Sequence, residues 1–409
     1  MRKPKVLFYD PFPLVTGGSG FRLCRAVDLL KEKCEITLLL PKKPDWNFIN
    51  QCFDSHIQEK DVRFVPIPPL SKRAVFFRYC FPRYQPSDPV VKSECAKHDL
   101  CVSFRNFGFF GVPGVHFIVD IQALEPFGIK RPRYQHWKCP AKISAKTLAR
   151  GTARQFLKLI LWFADGLGFK RRFRKKVQTG GDRVISNSRW IAGFFEKCHF
   201  HTDVVYPPVT ARFPEVPFQE RQFDFACVGR ICPLKRIERI ISILDSVRNQ
   251  TGLPLTLRIV GRFSSDNMYS EVIREMAAQR DWIRIEGELL GQDKENLLLK
   301  CKYAIHACEI EAFGISVAEY VKAGCIPFVP AKGGSAEIVG LGQLCYNSSG
   351  DAVSKIIDFL NKDDGQQTAV QEQMMKRGRQ FNTGLFDREF LRVIGEELSS
   401  RNTGFSRDI

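Results

Sequence analysis

No stretch of this 409-residue chain reaches the 18 or so uninterrupted apolar residues that a membrane-spanning helix needs. The longest candidate, Phe156 to Phe169, is broken by Lys158 and Asp165. The opening Met1-Arg-Lys-Pro-Lys-Val-Leu-Phe-Tyr9 is basic, but its apolar run is too short for a signal peptide and reads as the first strand of a parallel sheet. The 14 cysteines include no Cys-x2-Cys unit, which argues against a zinc site. Several of them, such as Cys101, Cys227 and Cys325, fall at apolar strand positions, so buried reduced thiols in a cytoplasmic protein are expected. Solenoid repeats and low-complexity tracts are absent too.

What is present is globular. Hydrophobic residues make up 44% and aromatics 12% of the chain, and 409 residues exceed what one core usually serves, so two domains are expected. The net charge of +18 is unevenly held. Residues 1–214 contain 37 basic against 17 acidic side chains, a balance of +20, and residues 215–409 contain 25 against 27, a balance of −2. Residues 130–183 alone hold 16 basic and 2 acidic residues, so the excess belongs to one segment of the first half.

Short apolar runs alternate with helical periodicity in both halves, the pattern of repeated βαβ units. In the first half the spacing predicts strands at Val6–Asp10, Glu35–Leu40, Val62–Ile67, Leu100–Phe104, His116–Ile121 and Arg183–Ser186. In the second it predicts strands at Asp224–Gly229, Thr256–Gly261, Ile283–Gly287, Tyr303–Ala307 and Ile326–Val329. Helices are expected near 235–249, 267–279, 291–301, 314–323, 351–361 and 386–399. The proline-rich stretch from Val204 to Pro217 marks the boundary. We expect an α/β fold of two Rossmann-like domains facing across a cleft. Residues 1–207 form the first, residues 215–385 the second, and 386–409 a helix and tail that pack back on the first.

Three constellations carry chemistry. Gly17-Gly18-Ser19-Gly20 lies between the first strand and a helix, where the backbone can approach a ligand closely, although a tight turn accounts for it equally well. Val228-Gly229-Arg230 closes a strand, and Lys235 follows at a helix start; a forked guanidinium and a point charge there suit a pyrophosphate. In Glu311-Ala-Phe313-Gly314-Ile315-Ser-Val-Ala-Glu319, Gly314 opens a helix whose free N–H groups favour an anion, and two carboxylates stand eight positions apart. A rise of roughly 1.5 Å per residue would separate them by about 10–12 Å.

This last stretch resembles the Glu-x7-Glu motif of retaining GT-B glycosyltransferases, the GT4 family in particular. Ser186-Asn-Ser188, Val205-Tyr-Pro-Pro-Val209 and Gly333-Gly-Ser-Ala-Glu337 also match that family, with residues 223–340 the strongest part. Tyr-Pro-Pro-Val and Phe-Gly-Ile with Ala-Glu-Tyr are nearest to its mannosyltransferase-like branches. The resemblance implies donor diphosphate binding by Gly229, Arg230 and Lys235. It places Glu311 near the donor sugar or its leaving group and Glu319 on the ribose hydroxyls, with backbone amides of Phe313, Gly314 and Ile315 offered to sugar and phosphates and Gly17 and Gly18 contributing from the first domain. Glu311, Arg230, Lys235 and Asp120 are the expected catalytic set. Where many members carry His-Asp, this chain has Val119-Asp120, so Asp120 is either an acceptor-side group or a strand-end cap, and His116 would need a change of register to replace the imidazole. No Asp-x-Asp is present to hold a metal on a diphosphate, so metal-independent transfer without a cofactor is expected.

Within residues 145–178, apolar and aromatic residues interleave with Lys146, Arg150, Arg154 and Lys158 and lead into Lys170-Arg-Arg-Phe-Arg-Lys-Lys176. An anionic membrane surface suits that pattern, as does a solvated face of a core helix. The expected protein is a peripheral transferase at the cytoplasmic face of a membrane, moving a sugar from a nucleotide diphosphate sugar to a glycan or lipid-linked acceptor, with no nucleic-acid partner. The rivals are a nucleotide-sugar epimerase on the same fold and a non-catalytic membrane adaptor.

Overall fold

The computed structural model describes residues 2–14, 18–53, 55–68, 89–108, 110–119, 180–263 and 268–401. Gly17, Asp120 and nearly all of the basic segment 130–183 lie outside the described residues.

The chain divides into two compact units, Met1–Val205 with Asp387–Ile409, and Tyr206–Phe386. The first contains β1 (Lys5–Tyr9), β2 (Glu35–Leu40), β3 (Val62–Pro66), β4 (Leu100–Ser103), β5 (Val115–Ile118), β6 (Arg183–Ser186) and β7 (Asp203–Val204). They form one sheet in the order β3-β2-β1-β4-β5-β6-β7, with every pair parallel. The central strands β1, β4 and β5 are buried along nearly their whole length, as a sheet covered on both faces demands. The order reverses between β1 and β4, so crossovers leave that point in opposite directions and open a crevice at the strands' carboxyl ends.

The end of the chain completes this unit. In the helix Thr383–Ser400, Phe390 packs its ring 6.3 Å from Phe104 and 6.1 Å from Phe117. Asp387 pairs with Arg25 at 2.5 Å, Glu396 with Arg183 at 2.8 Å, and Arg392 with Asp203 at 3.0 Å. Burial works to raise the Asp203 pKa, but its bonds to Arg183 and Arg392 outweigh it and hold the carboxyl below its ordinary range.

The second unit contains β8 (Gln222–Val228), β9 (Thr256–Val260), β10 (Ile283–Gly287), β11 (Cys301–Ile305), β12 (Ile326–Pro330) and β13 (Cys345–Tyr346). Their order, β10-β9-β8-β11-β12-β13, is again all parallel and reverses between β8 and β11. The periodicity places most strands to within two residues. It missed the two-residue edge strands β7 and β13, and the helix Asp364–Gly378, whose sparse apolar positions give little signal. Cys101, Cys227 and Cys325 are buried, unbridged thiols.

Candidate functional site

The candidate site of the second unit grows from the two strands at its switch point. β8 ends at Val228, whose N–H donates to the Tyr320 hydroxyl at 2.6 Å and so ties the strand end to the helix Ile315–Ala323. Gly229 follows, donating its N–H to Val260 O at 2.9 Å. A side chain at neighbouring Gly261 would place its Cβ 2.0 Å from Gly229 O, so the two loops approach this closely only because Gly261 has none. Arg230 is exposed and has no partner among the described residues.

Pro233–Lys235 then form one 3-10 turn, and Arg236 adopts the left-handed conformation, φ 53°, before the helix Ile237–Thr251. A non-glycine residue held there costs about 1–3 kcal/mol, and a bond from Arg236 Nε to Glu238 Oε1 at 3.0 Å helps hold it. The consequence is placement: Lys235 turns inward and its Nζ donates to Glu311 Oε2 at 2.5 Å.

Glu311 arrives from the neighbouring strand. β11 ends at Ile305, and His306, Ala307 and Cys308 continue buried into the turn that carries it. His306 Nε2 lies 3.3 Å from the same carboxylate oxygen. Burial works to raise the Glu311 pKa, yet the Lys235 ammonium, with His306 second, holds it far below the ordinary carboxylate range. Burial likewise works to lower the Lys235 pKa, and the Glu311 carboxylate reverses this and raises it. Burial lowers the His306 pKa, keeping the ring neutral at pH 7. The pair is therefore an ammonium and a carboxylate, both charged.

Gly314, at φ 105°, caps the helix Ile315–Ala323. Ile315 and Ser316 in its first turn are only partly buried, so their N–H groups can meet an anion. The Phe313 side chain, by contrast, is core, 3% exposed and packed on Tyr206 and Phe381 with centroids 5.8 and 5.6 Å away, which leaves its backbone alone for a ligand. Gly333 and Gly334 lie against this loop. Gly334 N–H donates to Glu311 O at 2.8 Å, and a Cβ on Gly334 would stand 2.5 Å from Ala312 O and 2.6 Å from Phe313 Cα. Glu337, in the helix Gly334–Val339, accepts from the Tyr206 hydroxyl at 2.6 Å. Arg262 faces outward and bonds Glu288 at 2.7 Å.

Glu319, in the second turn of its helix, is 7% exposed and accepts from Lys294 Nζ at 2.6 Å through Oε1. The site thus brings together Gly229, Lys235, Glu311, Phe313, Gly314 and Ile315, with Arg230 beside them and Glu319 farther along the same helix. Sequence reasoning missed His306, Cys308 and Lys294. No spacing rule flags a single Lys on a neighbouring helix, whereas His306 and Cys308 precede Glu311 by five and three residues at a strand's end.

His306, Cys308 and Glu311 place one ligand atom each within 4.8 Å of one another, which raises the question of a metal ion. Burial pushes the Cys308 thiol up to about 12 and the Lys235 ammonium bonds the carboxylate, so a metal would have to displace both the thiol proton and Lys235. In the first unit, His116 is fully engaged: its Nδ1 accepts from Gly108 N–H at 3.1 Å and its Nε2 sits 3.1 Å from Asp182 Oδ1, so it is not turned toward the strand ends.

Residues 209–381 match the family model described as glycosyl transferases group 1. The GDP-Man:Man(3)GlcNAc(2)-PP-Dol alpha-1,2-mannosyltransferase of Candida glabrata is 26% identical over 251 residues, which is 55% of this chain and 46% of that protein, so the chain spans about half the length of this relative. Among solved structures, Anabaena Alr3699/HepE in complex with UDP and glucose aligns with TM-score 0.61 and 16% identity over 97% of this chain and 100% of that one. Sucrose-phosphate synthase of Thermosynechococcus elongatus aligns with TM-score 0.65 and 14% identity over 98% and 100%. At such identities the structural match speaks for the fold. The whole chain has the two-domain GT-B fold, and residues 209–381 in its second domain match the group 1 glycosyl transferase model.

Proposed function

We propose that the protein is a retaining glycosyltransferase of the GT4 type that uses a nucleoside diphosphate sugar, with its second domain as the donor site. The observation that carries this reading is the Lys235–Glu311 pair at the switch point, beside an unpartnered Arg230 and the opening of the Ile315–Ala323 helix. As the bond from the anomeric carbon to the phosphate oxygen breaks, negative charge builds on the departing diphosphate. Arg230, Lys235 and the helix N–H groups neutralise that charge, which is the work a metal performs in other transferases, so metal independence belongs to the proposal. Glu311 keeps Lys235 protonated and fixed. The acceptor hydroxyl attacks from the face the phosphate leaves, and its proton passes to the departing phosphate oxygen. Glu319 keeps one oxygen for ribose hydroxyls while Lys294 holds the other.

The relative's donor, as its name gives it, makes GDP-mannose the first donor to test, and its dolichol-linked acceptor makes a lipid-linked glycan the first acceptor. A protein working on such an acceptor belongs at a membrane surface, and the basic segment 130–183 supplies the charge for the cytoplasmic face. Among the described residues no helix is long and apolar enough to cross a membrane.

The test is a thermal-shift panel of UDP, GDP, ADP and their sugars, with and without Mg²⁺, on the natural protein and Arg230→Ala, followed by a transfer assay with the stabilising donor. Stabilisation by one nucleotide, unchanged by Mg²⁺ and lost in the variant, is expected. No shift with any nucleotide refutes the proposal.

A further inference from the structure

The second domain holds a buried cation that the proposed chemistry does not use. Arg221 lies just before β8, at the end of the strand opposite Gly229 and Arg230, and is 4% exposed. Among the described residues no carboxylate faces it; its electrostatic neighbours are the thiols of Cys325 and Cys301, and burial lowers its pKa. A buried guanidinium is costly unless its N–H groups are bonded. Here every bond goes to a carbonyl oxygen. Nε donates to Val216 O at 3.3 Å, Nη1 to Cys301 O at 3.2 Å and Leu298 O at 3.5 Å, and Nη2 to Ala323 O at 2.5 Å. Leu298 and Cys301 lie at the end of the helix Gly291–Lys300, and Ala323 ends the helix Ile315–Ala323. The fork therefore joins the carboxyl ends of two neighbouring helices, where partial negative charge collects and a cation is favourable. Gly324 makes room for it: at φ 77° it caps the second helix, and a Cβ there would stand 3.0 Å from Arg221 Nη2.

The same two helices carry Lys294 and Glu319. Each stands one turn, about 6 Å, before a carbonyl that Arg221 holds, Lys294 before Leu298 and Glu319 before Ala323. The helices are thus joined at two successive levels, by the fork at their ends and by the Lys294–Glu319 bond of 2.6 Å one turn earlier. A separate tie, the Tyr320 hydroxyl on Val228 N–H at 2.6 Å, fixes the second helix against the carboxyl end of β8.

We propose that Arg221 is a positioning residue of the donor site: it sets the two helices against each other so that Lys294 meets one oxygen of Glu319 and leaves the other for the ribose hydroxyls. The ribose contact rests on the transferase reading, whereas the alignment of the ion pair does not. Hydrogen bonds weaken steeply once stretched or bent, and a misplacement of about 1 Å can cost about a hundredfold in function. Without the fork the helices lose their register at the ribose end, while the Tyr320 tie still holds the diphosphate end.

One test on the full chain needs no ligand. Urea unfolding of Lys294→Met, Glu319→Gln and the double variant measures the coupling of that pair, in the natural background and again with Arg221→Met added. A coupling of about threefold to fivefold in the unfolding constant is expected in the natural background, and none with Arg221→Met. The other test titrates GDP, UDP and inorganic pyrophosphate by calorimetry. Arg221→Met should weaken the nucleotide that the natural protein binds about tenfold, as much as losing the Glu319 bond itself, and pyrophosphate less than about twofold. Adding Glu319→Gln to Arg221→Met should then cost nothing further. Equal coupling in both backgrounds, or no coupling in the natural one, overturns the proposal. So does an Arg221→Met protein that melts lower with the ratio of nucleotide to pyrophosphate affinity unchanged, since Arg221 is then a structural support only. A natural protein that binds neither nucleotide nor pyrophosphate brings down the transferase reading, and the coupling alone then decides the role of Arg221. Should Arg221→Met fail to fold, Arg221→Lys decides: it keeps the charge without the fork, so full coupling there overturns the proposal.

Discussion

Replacing Glu311 by Gln keeps its shape and removes its charge, which strands the Lys235 ammonium. Both side chains are largely enclosed, 17% exposed for Lys235 and 20% for Glu311. Breaking a fully buried pair by removing one partner costs about 3–5 kcal/mol. The residual solvent contact screens part of this, so a loss of about 2–4 kcal/mol is expected at pH 7. At about 2–4 °C per kcal/mol for a domain of this size, the second domain should melt several degrees lower. The pH dependence carries a further signature. The native pKa of Glu311 lies below its ordinary 4.5, so its contribution is complete above that pH and is lost as pH falls toward the native value. The Lys235 pKa is raised above 10.5, so its share is complete below that pH and is lost as pH rises through the native value. The deficit of Glu311→Gln is therefore flat from about pH 5 to 10 and shrinks in acid. Urea unfolding across pH, followed on the natural protein, Glu311→Gln and the double variant with Lys235→Met, measures all of this. The double variant should regain most of the lost stability, because it buries no unpaired charge. A single variant as stable as the natural protein at pH 7, or a double variant no better than the single, refutes the reasoning.

Glu319→Gln should weaken nucleoside diphosphate binding about tenfold, the worth of a hydrogen bond to a charged group, and leave inorganic pyrophosphate binding unchanged in the same calorimetric titration. Gly334→Ala forces a Cβ to within 2.5 Å of Ala312 O, so the loop that carries Glu311 must shift, and nucleotide-induced stabilisation should fall even where the fold survives. Because the Asp203 pKa is depressed, its contribution is present above its ordinary 3.8 and lost as pH falls through the native value; the helix Thr383–Ser400 should gain hydrogen exchange in acid well before β1 does. Arg183→Ala should show the same loosening at pH 7, and unchanged exchange there would count against the role of the Arg183–Asp203–Glu396 network.

Much of the site was legible because it depends on local patterns. A strand ending in Gly229-Arg230 and a glycine at 314 before a helical stripe are written in consecutive residues, and so is the eight-residue spacing from Glu311 to Glu319. Contacts between distant segments left no such trace. Phe313 could be expected near a ligand, yet its ring is core, packed on residues 107 and 68 positions away in the chain, Tyr206 and Phe381. Lys294 reaches Glu319 from a helix 25 residues earlier. Arg236 takes a left-handed conformation that composition would never suggest for arginine.

The sequence by itself determined the class of fold, because alternating strand and helix periods on an all-parallel pattern admit few arrangements, and it placed most strands to within two residues. The tertiary structure decided the charges. Whether Lys235 is a solvated amine or a buried ammonium clamped on Glu311 depends on a turn that bends one loop toward the next strand. Whether Arg22 is an exposed helix residue or a buried cation depends on the packing around it, which brings Arg105 and Asp10 within electrostatic reach. Electrostatic energy is set by distance and desolvation, and neither quantity exists in a chain until it folds.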